Sequence, residues 1–285
     1  MNGNTEGRAD EGTAPPAAGV GGLYDRNTEL VDGAADGNIH FGYWEDESDS
    51  GSFPEATDRL TDLVAERVRA APGRRVLDVG CGTGRPALRL AAASGARVTG
   101  VSVSHQEIGL ARARAERSGL GDRARFTFAD AMDLPFDDAT FDAAWAIESL
   151  THMADRTEAL REIGRTLRPG GRVVISDFLL RRPVTGAGKE IVDHMCRVFQ
   201  APSVAGPDEH WNSVRRAGFE VVEFLDIGEN VRRSYIEIPE FLNRAGASVE
   251  EGADIEFLTS ADSFSQAAAL PEVGYVLMVA ERPAR

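Results

Sequence analysis

The hydrophobic and polar positions of the chain follow two alternating patterns from Arg74 to Leu180. Short apolar runs, typical of buried strands, are separated by stretches in which apolar residues recur at helical spacing. The strand-like runs are RRVLDVG, ARVTGVSVS, ARFTFADA, DAAWAIESL and RVVISDFLL. Their alternation with helices predicts right-handed crossovers and a mostly parallel sheet that is covered on both faces.

Capping residues mark the helix boundaries. Ser52 and Glu55 fit a capping box before a helix whose apolar positions share one face, and Ser104 and Glu107 fit a second box. Gly95 closes the helix after the first strand, since glycine readily adopts the left-handed conformation at a helix C-terminus. The capping position explains Glu107, and we predict no further role for it.

After Leu180 the regular alternation stops. The pattern over residues 181–210 predicts an irregular helical insertion, and the pattern over residues 235–270 predicts short helices. A helix and a strand are predicted between these two segments, and a last strand near the C-terminus. We predict an α/β fold with a doubly wound, Rossmann-like sheet of seven strands, in which the last pair makes the sheet mixed. The two insertions are expected to form a lid.

The N-terminal part of the chain differs in composition. Residues 1–22 are rich in Gly, Ala, Pro and acidic residues, which predicts a disordered tail. Residues 23–70 are expected to form an N-terminal helical flap, and residues 71–285 the α/β domain. The first residues lack the apolar stretch of a secretory signal, so we expect a cytoplasmic protein.

Charge and cysteine content narrow the classes of partner. The net charge of −15 disfavours nucleic acids and anionic membrane surfaces, and no apolar run is long enough to span a bilayer. The two cysteines, Cys81 and Cys196, form no disulfide framework and match no zinc pattern, so we predict no metal site. A small-molecule substrate is the expected partner.

Polar residues follow each of the five predicted strands at the same relative position. They are Asp78, Ser102, Asp130, Glu148 and Asp177. Because parallel sheets bind ligands at the carboxyl ends of their strands, these residues are expected to line one crevice. Hydrogen-bond acceptors in such number predict a ligand that is rich in donors and carries positive charge.

The loop DVGCGTGRP follows the first strand and narrows the choice of ligand. It has glycines at Gly80, Gly82 and Gly84, but Arg85 stands where a dinucleotide fingerprint has its last glycine. No phosphate-binding G-x-x-x-x-G-K-[ST] loop is present in the sequence. A tight glycine loop without these phosphate signatures favours an adenosine with a different tail.

Several motifs resemble those of known enzymes. VLDVGCGTG, FADAMDLPF and LRPGG, within residues 70–180, resemble the class I S-adenosylmethionine-dependent methyltransferases. From Leu23 onward, NIHFGYW, AIESLTHM, ISDF and PEVGYVLMVA resemble the rebeccamycin-type sugar O-methyltransferases of antibiotic biosynthesis. Related polyketide-pathway sequences include spinosyn-type cyclases, which keep the fold without needing methyl transfer. The resemblance implies S-adenosylmethionine as cofactor.

The resemblance also implies roles for individual residues. Gly80 and Gly82 would let the backbone approach the methionine part of the cofactor. Most class I enzymes bind the ribose hydroxyls with an acid after the second strand, and Ser102 with help from Gln106 would take its place. An N-terminal flap that includes Tyr43 would exclude water. The implied cofactor-binding residues are Tyr24, Trp44, Asp78, Gly80, Gly82, Ser102, Gln106, Asp130, Ala131, Met132 and Glu148, with Asp130, Ala131 and Met132 at the adenine and Glu148 as the counter-charge of the sulfonium or amine.

His152 is the candidate general base. Methylation of a hydroxyl requires that its proton is removed, and an imidazole is suited to this near neutral pH. Asp177 follows the neighbouring strand and is predicted to orient the ring of His152. The predicted reaction is methyl transfer to a hydroxyl of a glycosylated or polyketide natural product.

Thr151 keeps two alternatives open. The methyltransferases that the chain resembles often have two consecutive histidines here, and a threonine hydroxyl does not accept a proton at neutral pH. The first alternative is a cofactor-bound cyclase or isomerase, in which Thr151 contacts a polyketide carbonyl. The second is a non-catalytic module that binds S-adenosylmethionine.

Overall fold

The computed structural model describes residues 17–35, 37–38, 40–246 and 261–284 of the chain. The strands are β1 (Arg75–Val79), β2 (Arg97–Ser102), β3 (Ala124–Phe128), β4 (Phe141–Ile147), β5 (Leu167–Leu180), β6 (Glu220–Asp226) and β7 (Val273–Glu281). They form one sheet in the order β3-β2-β1-β4-β5-β7-β6. The first five strands are parallel, whereas β7 runs antiparallel to β5 and β6. The predicted seven-stranded mixed sheet is therefore confirmed.

The helices cover both faces of this sheet. They are α1 (Ala17–Ala35), α2 (Phe53–Val68), α3 (Arg85–Ser94), α4 (His105–Arg117), α5 (Arg156–Thr166), α6 (Ala187–Val198), α7 (Pro207–Arg216), α8 (Gly228–Val231), α9 (Ser234–Gly246) and α10 (Ala261–Ala267). No helix in the described parts of the chain has the length and apolar character needed to cross a membrane.

The central strands are apolar on both faces, as a sheet between two helical layers requires. Val76 and Trp145 are fully buried in one apolar cluster, and Leu77 and Ala144 in the cluster on the opposite face. This explains why β1 and β4 read as continuous apolar runs. α5 ends at Thr166, and the LRPGG run lies in β5.

The predicted disordered tail over residues 1–22 is wrong for residues 17–22, which lie in α1. Residues 1–16 lie outside the described part of the chain. Val20 is buried, and Gly21 packs so closely on the β2–α4 loop that a Cβ atom there would lie 2.3 Å from the carbonyl oxygen of Val103. Gly21, whose residue type contributed to the prediction of disorder, thus allows a close helix contact, which offsets the poor helix propensity of glycine.

The N-terminal segment and the two insertions form a layer above the C-terminal ends of the strands. α1 packs on α9, α9 on α10, and α10 on α6. The ring of Phe41 stacks on Tyr275 at 5.6 Å and meets Tyr235 edge-on at 4.7 Å. The backbone N–H of Gly42 donates to the hydroxyl of Ser234 at 2.8 Å. The helices at 187–198 and 234–246 lie within the predicted insertions, while residues 247–260 of the second lie outside the described part of the chain.

Candidate active site

A cavity lies at the C-terminal ends of β1, β2 and β4, beneath α1 and α9. Its apolar wall includes four phenylalanines from different parts of the fold: Phe41, Phe178, Phe199 and Phe264. Three carboxyl groups also line it, and its described lining residues include no arginine or lysine. The cavity therefore suits a ligand that combines positive charge with an apolar body.

The glycine loop forms the floor of the cavity next to β1. Gly80 and Gly82 line it, both in the left-handed conformation with φ of 75° and 50°. A Cβ atom on Gly80 would lie 2.3 Å from the Cβ atom of Ser149, so no larger residue fits there. The loop is held by the backbone N–H groups of Gly80 and Cys81, which both donate to the carbonyl of Val101 at 2.9 Å.

Asp78 lies at the end of β1, directly before this loop. Its side chain is buried and lines the cavity, and its Oδ2 atom has no hydrogen-bond partner. Burial raises the pKa of Asp78 to about 7. A buried carboxyl oxygen without a partner is costly, and a cationic ligand group would satisfy it.

Glu107, which we explained as a helix cap, lines the cavity beside Ser102. The hydroxyl of Ser104 does accept from the backbone N–H of Glu107 at 3.0 Å. The Glu107 carboxylate, however, turns toward β2 and accepts from the Ser102 hydroxyl at 2.6 Å. Burial raises the pKa of Glu107 to about 7. Gln106 does not line the cavity, and its backbone N–H donates to Asp25 at 3.1 Å.

The predicted adenine-binding turn follows β3. Asp130 uses one carboxylate oxygen within the turn, where it accepts from the backbone N–H of Met132 at 2.9 Å. Ala129 and Ala131 line the cavity, whereas the side chains of Asp130 and Met132 lie beside it. Recognition of adenine by this turn stays a prediction.

Glu148 closes β4 in a left-handed conformation with φ of 49°. Its Oε1 atom accepts from the backbone N–H of Phe41 and from the hydroxyl of Tyr275, both at 2.7 Å. Burial raises the pKa of Glu148 to about 8. The side chain lines the cavity and also ties the N-terminal segment to the sheet. Its role as a counter-charge stays a prediction.

His152 ends a short 3₁₀ helix after β4 and lines the cavity. Its Nε2 atom lies 2.9 Å from the hydroxyl of Tyr24 in α1, and the two rings meet edge-on at 5.5 Å. Burial lowers the pKa of His152 to about 4, and the backbone of Phe199 opposes this shift. Nδ1 makes no hydrogen bond of ordinary geometry. Burial also raises the pKa of Tyr24, so its hydroxyl stays protonated, and it can donate to Nε2 in the tautomer that carries the ring proton on Nδ1.

Asp177 does not contact His152, contrary to the prediction. The Asp177 carboxylate is buried and accepts from the backbone N–H of Phe178 at 2.8 Å. Phe178 lines the cavity, whereas Asp177 is not among its lining residues. Thr151 is also buried outside the lining of the cavity. The partner of His152 comes from α1 instead.

Trp44 also lies away from the cavity, although Tyr24 and Trp44 were both expected there. The indole N–H of Trp44 donates to the carbonyl of Gly51 at 2.8 Å, and the Arg233 guanidinium lies 5.1 Å from the ring centre. Trp44 packs on Phe53 at the start of α2. Its aromatic surface is used to anchor the N-terminal segment.

The arrangement fits the cofactor that the sequence motifs imply. The glycine loop permits a close backbone approach, and the Glu107–Ser102 pair offers oxygen atoms for ribose hydroxyls. Asp78 and Glu148 offer negative charge for the amine and the sulfonium. The sequence does contain a signal for the role of Glu107. This residue lies in the first turn of the helix that follows β2, and that turn faces the end of the strand.

Comparisons with known proteins identify the family. Residues 77–175 match the family model of a methyltransferase domain. The chain is 39% identical to methyltransferase GfsG of Streptomyces halstedii, over 93% of this chain and 94% of that protein. It is 38% identical to 27-O-demethylrifamycin SV methyltransferase of Amycolatopsis mediterranei, over 95% and 99%. The crystal structure of the [4+2]-cyclase SpnF is similar with a TM-score of 0.85 and 34% identity, covering 95% and 98% of the two chains.

Proposed function

Because the chain belongs to the class I S-adenosylmethionine-dependent methyltransferases of natural-product biosynthesis, we propose that it methylates a hydroxyl of a glycosylated or polyketide product. The observation that carries this proposal is the position of His152, which lines the largely apolar cavity and has its Nε2 atom 2.9 Å from the Tyr24 hydroxyl. A relative of 38% identity is named for O-methylation of a rifamycin, which supports the same bond type here.

The cavity favours an uncharged acceptor. Its described lining offers aromatic and aliphatic surface, three carboxyl groups, and no arginine or lysine to pair with a phosphate or carboxylate. Burial of an anionic acceptor beside these carboxyl groups would be strongly unfavourable. A macrocyclic or glycosylated polyketide presents hydroxyls on an apolar frame and is compatible with such walls.

His152 is the proposed general base. The cofactor, when bound, supplies a methyl group activated by a positively charged sulfonium. In the tautomer that carries the ring proton on Nδ1, the Tyr24 hydroxyl donates to Nε2. An acceptor hydroxyl beside Tyr24 would pass its proton to the Tyr24 oxygen while Tyr24 passes its own proton to Nε2, as the acceptor oxygen forms the new bond. The apolar walls exclude water and hold the acceptor in place, which is expected to be the larger contribution.

His152→Ala tests this role. Loss of a general base costs about 10²- to 10⁴-fold in kcat, while cofactor affinity should change by less than about twofold. The two readouts are S-adenosylhomocysteine formation with a hydroxylated polyketide and calorimetric binding of the cofactor. A variant that turns over at the wild-type rate would contradict the proposal, whereas lost cofactor binding would point to misfolding.

Cyclisation is the second candidate, favoured by the likeness to the [4+2]-cyclase SpnF and by Thr151 in place of a histidine. In that reaction the apolar cavity would fold a polyketide while the cofactor stays intact. A product that changes retention but not mass, without S-adenosylhomocysteine, would establish it.

A further inference from the structure

Asn38 is a buried amide without a hydrogen-bond partner. Its side chain lines the cavity, is 3% exposed, and leaves both Nδ2 and Oδ1 unpaired. An amide buried in this way loses its bonds to water without replacing them, which disfavours the free state. A ligand with complementary polar groups would remove that cost.

The neighbouring residues hold Asn38 against the glycine loop. The carbonyl of Gly37 accepts from the Thr83 hydroxyl at 3.0 Å, and Thr83 lies in the loop between Gly82 and Gly84. Arg114 fixes Thr83 in turn, since its guanidinium donates to the Thr83 carbonyl at 2.9 Å. Asn38 is therefore placed where the methionine part of the cofactor approaches the loop.

This part of the cofactor carries a carboxylate and an ammonium group. The ammonium finds carboxyl oxygens in the cavity, above all the unpaired Oδ2 of Asp78 before the glycine loop. The carboxylate finds no arginine or lysine among the described lining residues. Neutral N–H or O–H donors must therefore bind it, and Nδ2 of Asn38 is a donor without a partner.

We propose that Asn38 binds the α-carboxylate of S-adenosylmethionine through its side-chain amide. Asn27 is the other lining amide with an unpaired atom, but its Nδ2 already donates to the Leu23 carbonyl at 2.9 Å. Asn27 is held by that bond to its own helix, and its atom without a partner is the acceptor Oδ1, which a carboxylate cannot use. The two amides thus provide a matched pair for a test.

The test measures calorimetric binding of two ligands at pH 8. S-adenosylhomocysteine has the amino-acid end, whereas 5′-methylthioadenosine lacks it and otherwise shares the adenosine thioether. Asn38→Ala should weaken S-adenosylhomocysteine about 10- to 100-fold, since one hydrogen bond to a charged group is lost. Its affinity for 5′-methylthioadenosine should stay within about twofold, which also shows that the variant is folded.

Asn38→Asp tests whether the ligand group that lies beside residue 38 is negatively charged. A carboxylate at this position repels the carboxylate of the ligand, so S-adenosylhomocysteine should bind more weakly than to Asn38→Ala. Asn27→Ala should leave its affinity within about twofold of wild type. No acceptor is present, so the result is independent of the proposed acceptor chemistry.

Three results would overturn the assignment. If S-adenosylhomocysteine bound more tightly to Asn38→Asp than to Asn38→Ala, the amide would lie at the ammonium group instead. An equal loss for both ligands in Asn38→Ala would show a purely structural role. A selective loss of the same size in Asn27→Ala would remove the distinction between the two amides.

Discussion

At the scale of the residue, burial sets the charge of the cavity. It raises the pKa of Asp78 and Glu107 to about 7 and that of Glu148 to about 8. It lowers the pKa of His152 to about 4. At neutral pH the free cavity therefore carries less negative charge than its carboxyl groups suggest, and His152 is neutral. A cationic ligand would favour ionisation of the carboxyl groups.

The pH dependence of cofactor binding follows from these shifts. The free protein holds protons on these carboxyl groups below their raised pKa values, and a cation binds best once they are lost. The affinity for S-adenosylmethionine should therefore rise about tenfold or more from about pH 6 to about pH 8. S-adenosylhomocysteine, whose sulfur is uncharged, should gain less affinity over the same pH range if Glu148 faces the sulfonium. Calorimetry with Glu148→Gln checks this, because the difference in pH dependence between the two ligands should shrink in this variant. An unchanged difference would contradict the role of Glu148.

The hydroxyl of Tyr24, the hydrogen-bond partner of His152, is expected to contribute to the reaction rate. Tyr24→Phe removes the hydroxyl at Nε2 and should lower kcat about fivefold, as expected for loss of one neutral hydrogen bond that positions the base. Asp177→Asn should lower kcat less, because Asp177 does not line the cavity and makes no hydrogen bond to His152. Steady-state rates of both folded variants decide the order, and the reverse order would restore Asp177 as the orienting residue.

At the scale of the element, α1 is joined to the sheet on both sides of the cavity. Tyr24 reaches His152, while Asp25 accepts from the Ser104 hydroxyl at 2.5 Å and from the backbone N–H of Gln106. The Asp25 carboxylate thus caps α4 from another helix, next to Ser102 and Glu107. The position of α1 is therefore linked to the end of β2, where the cofactor ribose is predicted to lie.

Removal of this cap should loosen α1. Asp25→Ala should increase amide hydrogen exchange over residues 17–35 and leave exchange in β1 and β4 unchanged, because those strands keep their packing. Hydrogen-exchange mass spectrometry of the wild type and the variant provides the comparison. Equal exchange of α1 in both proteins would show that its other contacts suffice.

The sequence predicts the elements better than the direction of their side chains. The apolar periods locate the strands and the helix at 53–68, because packing and period agree there. Residues 17–22 of α1 were missed because their glycine and alanine suggest disorder, while here they allow close packing. Asp177 was predicted at the end of its strand, whereas β5 continues to Leu180, and the direction of the Asp177 side chain depends on tertiary packing that the sequence pattern does not specify. Glu107 was missed because a local cap already explained it.

At the scale of the whole molecule, strand order places the site. The strand order reverses between β1 and β4, because the connection after β1 leads to one side of the sheet and the connection after β4 leads to the other. A crevice therefore opens at the C-terminal ends of these two strands. Asp78 and Glu148 stand at these two ends, on either side of the crevice. The N-terminal segment and the helical insertions close it from above, which produces a largely apolar chamber from residues far apart in sequence.

Mass spectrometry of a reaction with intact acceptor tests the central claim most directly. Purified protein is incubated with S-adenosylmethionine and a neutral hydroxylated polyketide or its glycoside. We expect one S-adenosylhomocysteine for each acceptor molecule that becomes heavier by one methylene, with the new methyl on oxygen. An acceptor converted to an isomer of unchanged mass, with the cofactor intact, would contradict methyl transfer and establish cyclisation.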